Sequence, residues 1–479
     1  MSRTAHADRM HLPTLMAVLA AGLASIAAAQ AQPRDDTRPA DSFLQREREI
    51  DQRLRAERDR VAPVDARFDW QWGGSVDYYI FHFDDGIQRS RRYQQPGLNI
   101  WSRATIDDGA HELFARMKLD YRHFHRGDEY TRRQDWVGPN FDRAWYQIDL
   151  HRALRWGAGA PRARIRIGRQ QVSFGTGYAL DLPLDAVVLD AAWQDVRTLV
   201  LIGNTIASTP NVDRSPAVDS HMNRRFYGVQ LAYEGWEKHV PFVYGLWQQD
   251  HTDERPQDYD QEYDYDTQYW GAGVRGSLAA NLDYWAEAVV QTGRSFGDGD
   301  WARRDSVRAW GWDVGVEYRI PVPLRPRVSA EYMFGSGDGD RLESPTSAVG
   351  GNRRDRRDTG FVGFGYRDTG IAAAPVVSNL HVWRAGASFM PLERVELLRE
   401  LELGTTWFLY HKHHDRAAIS DFTAQQFAGF VGWEMDYFVN WRISSDLAWT
   451  LRWGVFFPGD AYQDRDSRQF IFSGLTWSF

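Results

Sequence analysis

No cysteine occurs anywhere in the 479 residues, which suits an oxidising compartment without requiring one. Long apolar runs are also missing. Past the first thirty residues nothing approaches the roughly 20 apolar residues that a spanning helix needs, and mean hydropathy is negative although 14% of the residues are aromatic. Any membrane span must therefore be built from strands, because only helices and closed barrels satisfy the backbone in hydrocarbon. A barrel with a polar lumen and an apolar outer face can have the average hydropathy of a soluble protein. Excess positive charge is lacking too. The net charge of -8 argues against a nucleic-acid partner, although 57 basic residues remain to be placed. No nucleotide-binding motif is present to drive transport, so direction would have to come from synthesis or a periplasmic partner, and no cofactor is expected.

The N-terminus carries export features. Arg3 and Arg9 precede an alanine-rich apolar run from Leu12 to Ala29, and Ala29-Gln30-Ala31 offers small residues for cleavage, which reads as a signal peptide over residues 1–31. Residues 32–63 read as a Pro-bearing linker followed by a charged periplasmic helix from Asp41 to Ala62. Ser42 and Gln45 form a capping box there, and Pro63 stops the helix. Its apolar positions Phe43, Ile50, Leu54 and Val61 make only a narrow seam, leaving a solvated leader or a partner-docking helix as alternatives.

From residue 64 to the end the pattern has period two, in segments of about ten residues separated alternately by short turns and long polar loops. Trp310, Trp312, Val314, Val316, Tyr318 and Ile320 alternate with Ala309, Gly311, Asp313, Gly315, Glu317 and Arg319. Val431, Trp433, Met435, Tyr437 and Val439 alternate in the same way with Glu434, Asp436 and Asn440. Girdles at the membrane interfaces account for the 21 Trp, and the last segment, Arg468 to Phe479, ends on aromatic residues as outer-membrane barrels do. The expected fold is all-β, a transmembrane antiparallel barrel of about 18 strands in the outer membrane, in contact with lipid and lipopolysaccharide. The turn at Arg442 to Ser445 then lies on the periplasmic side. The polar loops Asp84 to Pro96, Arg126 to Phe141, Thr205 to Met222, Asp250 to Thr267 and Asp338 to Thr359 lie outside.

The inward face carries Arg103, Arg116, Lys118, Arg122, Arg143, Arg164, Arg166 and Arg452, moderated by Asp120, Asp149, Glu434 and Asp436. A guanidinium fork matches a carboxylate where lysine offers a point charge, so an arginine-biased lumen suits anionic groups, or else these arginines brace the wall by pairing with lumen carboxylates.

Several ordered segments go further. Arg143-Ala-Trp-Tyr with Asp149, Gly168-Arg169-Gln170, Asp181, Gly335-Ser-Gly-Asp338, Ser378-Asn-Leu380, Tyr410-His-Lys412, Gly432-x-Glu434-x-Asp436 and Pro458-Gly-Asp-Ala-Tyr462 together resemble the alginate export porins. Coverage is best from about Arg143 to Phe479 and absent before Pro63. The resemblance implies a barrel passing an anionic exopolysaccharide through an arginine-lined constriction, with possible periplasmic export-complex partners. It places Arg143 and Arg367 on constriction arginines and Asp181 on a constriction aspartate. Arg103, Arg116, Arg169, Glu434, Asp436 and Arg452 complete the lumen set. Gln171, Thr450 and Trp101 stand where the family pattern has arginine, so the charge is partly shifted in register. The turn at Arg442 to Ser445 is too short to plug the pore as the family's long periplasmic segment does. That leaves a pore open from below, or another element, such as the helix from Asp41 to Ala62, as its block.

A passive anion-selective diffusion porin shares every barrel feature. An enzyme would need Ser420 to meet His413 or His414 without a supporting motif, and a loop-based receptor or adhesin is a third class. His123 with His125 and His411 with His413 could bind metal as pairs, but imidazoles at strand ends commonly sit at the interface, and no metal is expected.

Overall fold

The computed structural model describes residues 68–86, 90–126, 128, 135–157, 159–211, 221–252, 265–296, 304–340 and 357–479. The signal peptide, linker and charged helix expected before residue 64 lie outside the described residues. Successive strands are β1 (Phe68–Asp84), β2 (Arg91–Ile106), β3 (His111–Phe124), β4 (Asp135–Asp149), β5 (Arg162–Phe174) and β6 (Leu180–Trp193). They continue as β7 (Val196–Thr205), β8 (Arg224–Tyr233), β9 (His239–Asp250), β10 (Asp266–Ala279), β11 (Leu282–Phe296), β12 (Arg304–Arg319) and β13 (Arg327–Gly335). After the two-residue β14 (Arg357–Asp358) come β15 (Leu380–Phe389), β16 (Leu401–Lys412), β17 (Phe430–Arg442), β18 (Leu447–Pro458) and β19 (Arg468–Ser478). Neighbours in sequence pair antiparallel, and β1 pairs β19, so eighteen strands close into a barrel. The exception is β14, which lies parallel to β12 above the end of β13.

Closure depends on the C-terminal aromatic residue. Phe479 and Gly74 exchange two backbone hydrogen bonds of 3.0 Å, and Trp72 meets the Phe479 ring edge-on at 6.3 Å. A Cβ on Gly73 would lie 2.7 Å from the Phe479 carbonyl oxygen, so the seam needs glycine at this close approach. Outward positions carry the apolar belt: Trp70, Trp72, Val314, Trp407, Trp453 and Trp477 are all exposed on the wall. Several strands exceed the span length of about ten residues. β1 has 17 residues and β2 has 16, so ladder pairing continues through Gln94 and Gln95 where the sequence reading has a loop.

One lipid-facing expectation fails locally. Val431 is buried at 1%, because the β16–β17 register slips between Tyr410 and His411 and leaves Val431 as an unpaired bulge residue. A larger departure concerns the interior, which is not a uniformly polar lumen. Phe174, Leu184, Phe226, Leu246, Tyr269 and Val382 point inward and pack with Phe361, Val362 and Phe364 in one apolar cluster. The segment following β14 enters the barrel rather than staying outside, and the expected solvated loop ending at Thr359 is therefore only part of that connection. Of that connection, residues 341–356 lie outside the described residues.

The architecture predicts opposite responses to charge on the two faces. Val314→Arg, on the outer wall in the middle of β12, should cost about 2–4 kcal/mol of folding free energy in bilayers. Thr450→Arg, lining the interior cavity, should leave stability nearly unchanged. Denaturant titrations of heat-modifiable migration in lipid vesicles measure both, and equal effects at the two sites would contradict the assigned faces.

Candidate functional site

Below the apolar cluster lies a cavity of roughly 1300 Å³, bounded by β1–β5, β12, β13 and β15–β19 and reaching the periplasmic turn at Ser444–Asp446. Among the described residues, ten arginines and eight carboxylates line it, and no lysine does. Arg103, Arg116, Arg143 and Arg452 are among these arginines, as the sequence reading expects. Strand pleat accounts for most of them, because alternate residues of each strand face the same side. Asp142 and Arg143 both turn inward, since the β3–β4 register slips between Arg116 and Met117 and makes Asp142 a bulge residue. Arg116 then donates from Nε to Asp142 at 2.8 Å. Arg103 pairs with Glu112 at 2.6 Å, and Arg452 Nη1 donates to Asn440 at 2.7 Å with its guanidinium 5.0 Å from the Phe438 centroid.

Two expected lumen residues face the other way. Arg169 is registered opposite Asp185 and pairs with it at 2.8 Å. It shares the outward parity of Ile167, whereas Arg164 and Arg166 point in. Asp181 has the outward parity of Asp185 and Val187, near the extracellular end of β6, and accepts from Gln171 Nε2 at 2.8 Å. Neither lines the cavity. The motif that carries Arg169 puts Gly168, not the arginine, on the inner face opposite Trp145.

Arg367 and Glu434 are inside, but as fasteners of the inward segment. Arg367 belongs to that segment rather than to a strand. It reaches Asp313 on β12 at 2.8 Å and donates to the Thr176 carbonyl at 3.2 Å, clasping the wall and the β5–β6 turn together. Glu434 is fully buried, and its carboxylate accepts the N–H groups of Ile371, Ala372 and Ala373 at 2.7, 2.7 and 2.9 Å, plus the Tyr410 hydroxyl at 3.2 Å. Gly370 turns the chain into this cradle with φ +92, and a Cβ there would meet the carboxylate at 2.5 Å. Asp436, one pleat below, lines the cavity.

Tyr366, Asp368 and Ile371 of the inward segment form the ceiling. Sequence reading missed Arg384, which holds this ceiling by pairing with Asp368 at 3.0 Å and Glu331 at 2.8 Å. Its parity with the inward Leu380 and Val382 is a signal that could have found it. The segment's backbone is satisfied by the wall: Val362 N–H donates to Gln291 at 2.9 Å, and Tyr269 donates to the Val362 carbonyl at 2.7 Å. Among the described residues the interior is filled from above by this segment, and the short turn at Arg442 to Ser445 does not cover the cavity from below.

Ser420, weighed as a nucleophile, is buried and accepts the Val376 N–H at 2.8 Å, so it too fastens the inward segment. Among the described residues no group of three or more His, Asp or Glu is placed to hold a metal ion.

The family model for alginate export matches residues 85–474. The chain belongs to the alginate export family. It is accordingly an outer-membrane barrel porin, with the family and fold of transport porins rather than enzymes. Similar solved structures from Pseudomonas aeruginosa include OccK8 (OprE), at 12% identity and TM-score 0.53, and OccK5 (OpdH), at 10% and 0.54. OpdK solved with vanillate is similar at 9% identity and TM-score 0.52, and all three alignments cover 86% of this chain and 98% of the other. At these identities the likeness shows the fold alone. No curated protein sequence matches significantly.

The extracellular rim yields a pH prediction. His413, just past β16, accepts the Gly337 N–H on Nδ1 at 3.0 Å; burial, then His414 and His381, push its pKa down from 6.5 to about 4. The folded pKa lies below the unfolded one, so the unfolded state takes up the proton first. Stability from this contact is complete above pH 6.5 and should decline as pH falls towards about 4. His413→Asn should flatten that part of the unfolding-midpoint curve. Superimposable wild-type and variant curves would show that this histidine does not anchor the rim.

Proposed function

We propose that this barrel exports an anionic exopolysaccharide, alginate or a similar polyuronate. The polymer enters the arginine-lined cavity from the periplasm and leaves when the inward segment of residues 359–379 gives way. The observation carrying this reading is membership in the alginate export family combined with a cavity whose cationic side chains, among the described residues, are all guanidinium groups. Planar guanidinium forks match carboxylates two bonds at a time, and their partial pairing with lumen carboxylates keeps each contact weak enough to exchange. A polymer can then pass from Arg103 and Arg143 to Arg452 without being trapped. No energy-converting motif is present, so direction comes from synthesis or from a periplasmic partner. The N-terminal segment before residue 64, with its expected signal peptide, is the candidate for delivery to the compartment and for partner capture.

The arginine contribution is tested by charge reversal. Arg143→Glu with Arg452→Glu should turn anion preference into cation preference in planar bilayers and sharply reduce polymer release from cells, because charges in a narrow pore are poorly screened. Lysine at both positions should keep anion preference and still weaken release. Normal polymer release by a folded double-glutamate variant would sink the reading. A fall in small-carboxylate permeation alone would instead favour a passive diffusion porin.

The gate is tested separately at its cradle. Glu434→Gln replaces an acceptor of three N–H groups by a carboxamide that must turn one donor towards them, a loss of about 1–3 kcal/mol. The inward segment should loosen, seen as higher conductance and longer open times in single-channel records. Unaltered gating would place the barrier elsewhere.

A further inference from the structure

Three aromatic rings follow one another along the cavity wall with near-parallel, stacked planes, and charge selection does not require them. Trp101 on β2, Phe114 on β3 and Trp145 on β4 all line the cavity. Trp101 and Phe114 have centroids 6.5 Å apart with planes at 17°, and Phe114 and Trp145 are 5.4 Å apart at 21°. The Arg166 guanidinium continues the series, 4.4 Å from the Trp145 centroid. The local sequence makes room for this arrangement. Phe114 stands directly opposite Trp145 in the β3–β4 ladder, and Gly73, registered with Trp101, leaves space that a Cβ would take from the indole at 2.9 Å.

Polar rows border the ladder on both sides. One pleat towards the surface stand Arg116, paired with Asp142, and Arg143. One pleat towards the periplasm, Arg103 pairs with Glu112 at 2.6 Å and Arg166 Nη2 donates to Gln147 at 2.7 Å. All three rings are half-buried, so each keeps some surface towards a cavity that is otherwise polar.

Apolar surface kept in water costs free energy unless a ligand covers it. A small inorganic anion would use the guanidinium groups and ignore the rings, and an acyl chain would use the rings and be repelled by the polar rows. A pyranose uses both, because it has a C–H face that fits an aromatic plane and hydroxyls around its edge. A uronate adds a carboxylate at that edge. We propose that Trp101, Phe114 and Trp145 form a stacking subsite for successive pyranose rings of an acidic glycan, whose carboxylates reach Arg166 and Arg143. This inference rests on the export reading and deepens it: the arginines select charge, and the ladder recognises sugar rings. Stacking on each ring is weak, so a chain advances by exchanging one ring contact at a time.

Isothermal titration of the purified full-length barrel in detergent micelles tests this, with a linear uronate tetramer and a neutral hexose tetramer of the same linkage as probes. The uronate tetramer should bind the wild type, and Trp101→Ala and Trp145→Ala should each weaken it about tenfold. Trp145→Phe, which keeps a ring, should stay within about threefold. The neutral tetramer should bind more weakly with the same dependence on the rings, and Arg166→Gln should weaken only the uronate. Heat-modifiable migration verifies that each variant is a closed barrel. Undiminished uronate binding by both alanine variants, or no ring-dependent binding of either probe by the wild type, overturns the subsite. Ring-dependent binding of the neutral tetramer alone would retain the stacking role, remove its acidic specificity, and count against the polyuronate reading itself.

Discussion

Every backbone N–H and C=O crossing the hydrocarbon must find a partner within the protein, because an unmet group there costs several kcal/mol. The β1–β19 seam meets that demand. Phe479 pairs with Gly74, ten residues of β1 register with β19, and no free sheet edge remains in the bilayer. Once the ladder is continuous, the pleat assigns each side chain to lipid or interior. Outward Trp453 and inward Arg452 are consequences of the same closure. Bulges at Asp142 and Val431 locally change that assignment, and in the first case put a carboxylate beside Arg116 inside the cavity.

A barrel of eighteen strands is wide enough to leave a lumen, and this one divides it. The periplasmic half keeps an open, polar-lined cavity, whereas the extracellular half is filled by chain from the β13–β15 connection. That chain brings its own backbone polar groups into an apolar setting, so its stability depends on wall side chains that satisfy them. Glu434 holds three N–H groups, Gln291 holds one, and Tyr269 donates to a carbonyl. Charged residues therefore have two distinct uses in the interior. Arg367 and Glu434 fasten the inward segment, while Arg103, Arg143 and Arg452 line the periplasmic cavity. Arg384 does both, since it lines the cavity and grips Asp368 of the ceiling.

Much of this is legible in the sequence. The missing helical spans, the two-residue alternation and the aromatic C-terminus pointed to an outer-membrane barrel of about 18 strands, and the ordered motifs pointed to the alginate export family. Those signals are local in the chain, repeated many times and read directly from periodicity, so errors at single residues do not erase them. The inward placement of Arg103, Arg116, Arg143 and Arg452 follows from the same alternation. What alternation could not supply was register. Arg169 lies in a matching motif yet pairs with Asp185 outside, and Asp181 faces out beside it, because one position along a strand reverses the face.

The sequence by itself thus determined the compartment class, the strand periodicity and the arginine bias of the inner face, since each is a property of residue order within about ten positions. Only the tertiary structure decided that the inward segment after Thr359 fills the upper barrel, that Arg367 and Glu434 are its fasteners, and that Trp101, Phe114 and Trp145 align on one wall. These are relations between residues tens to hundreds of positions apart. They are set by loop trajectory and inter-strand register, and no local pattern in the chain encodes either.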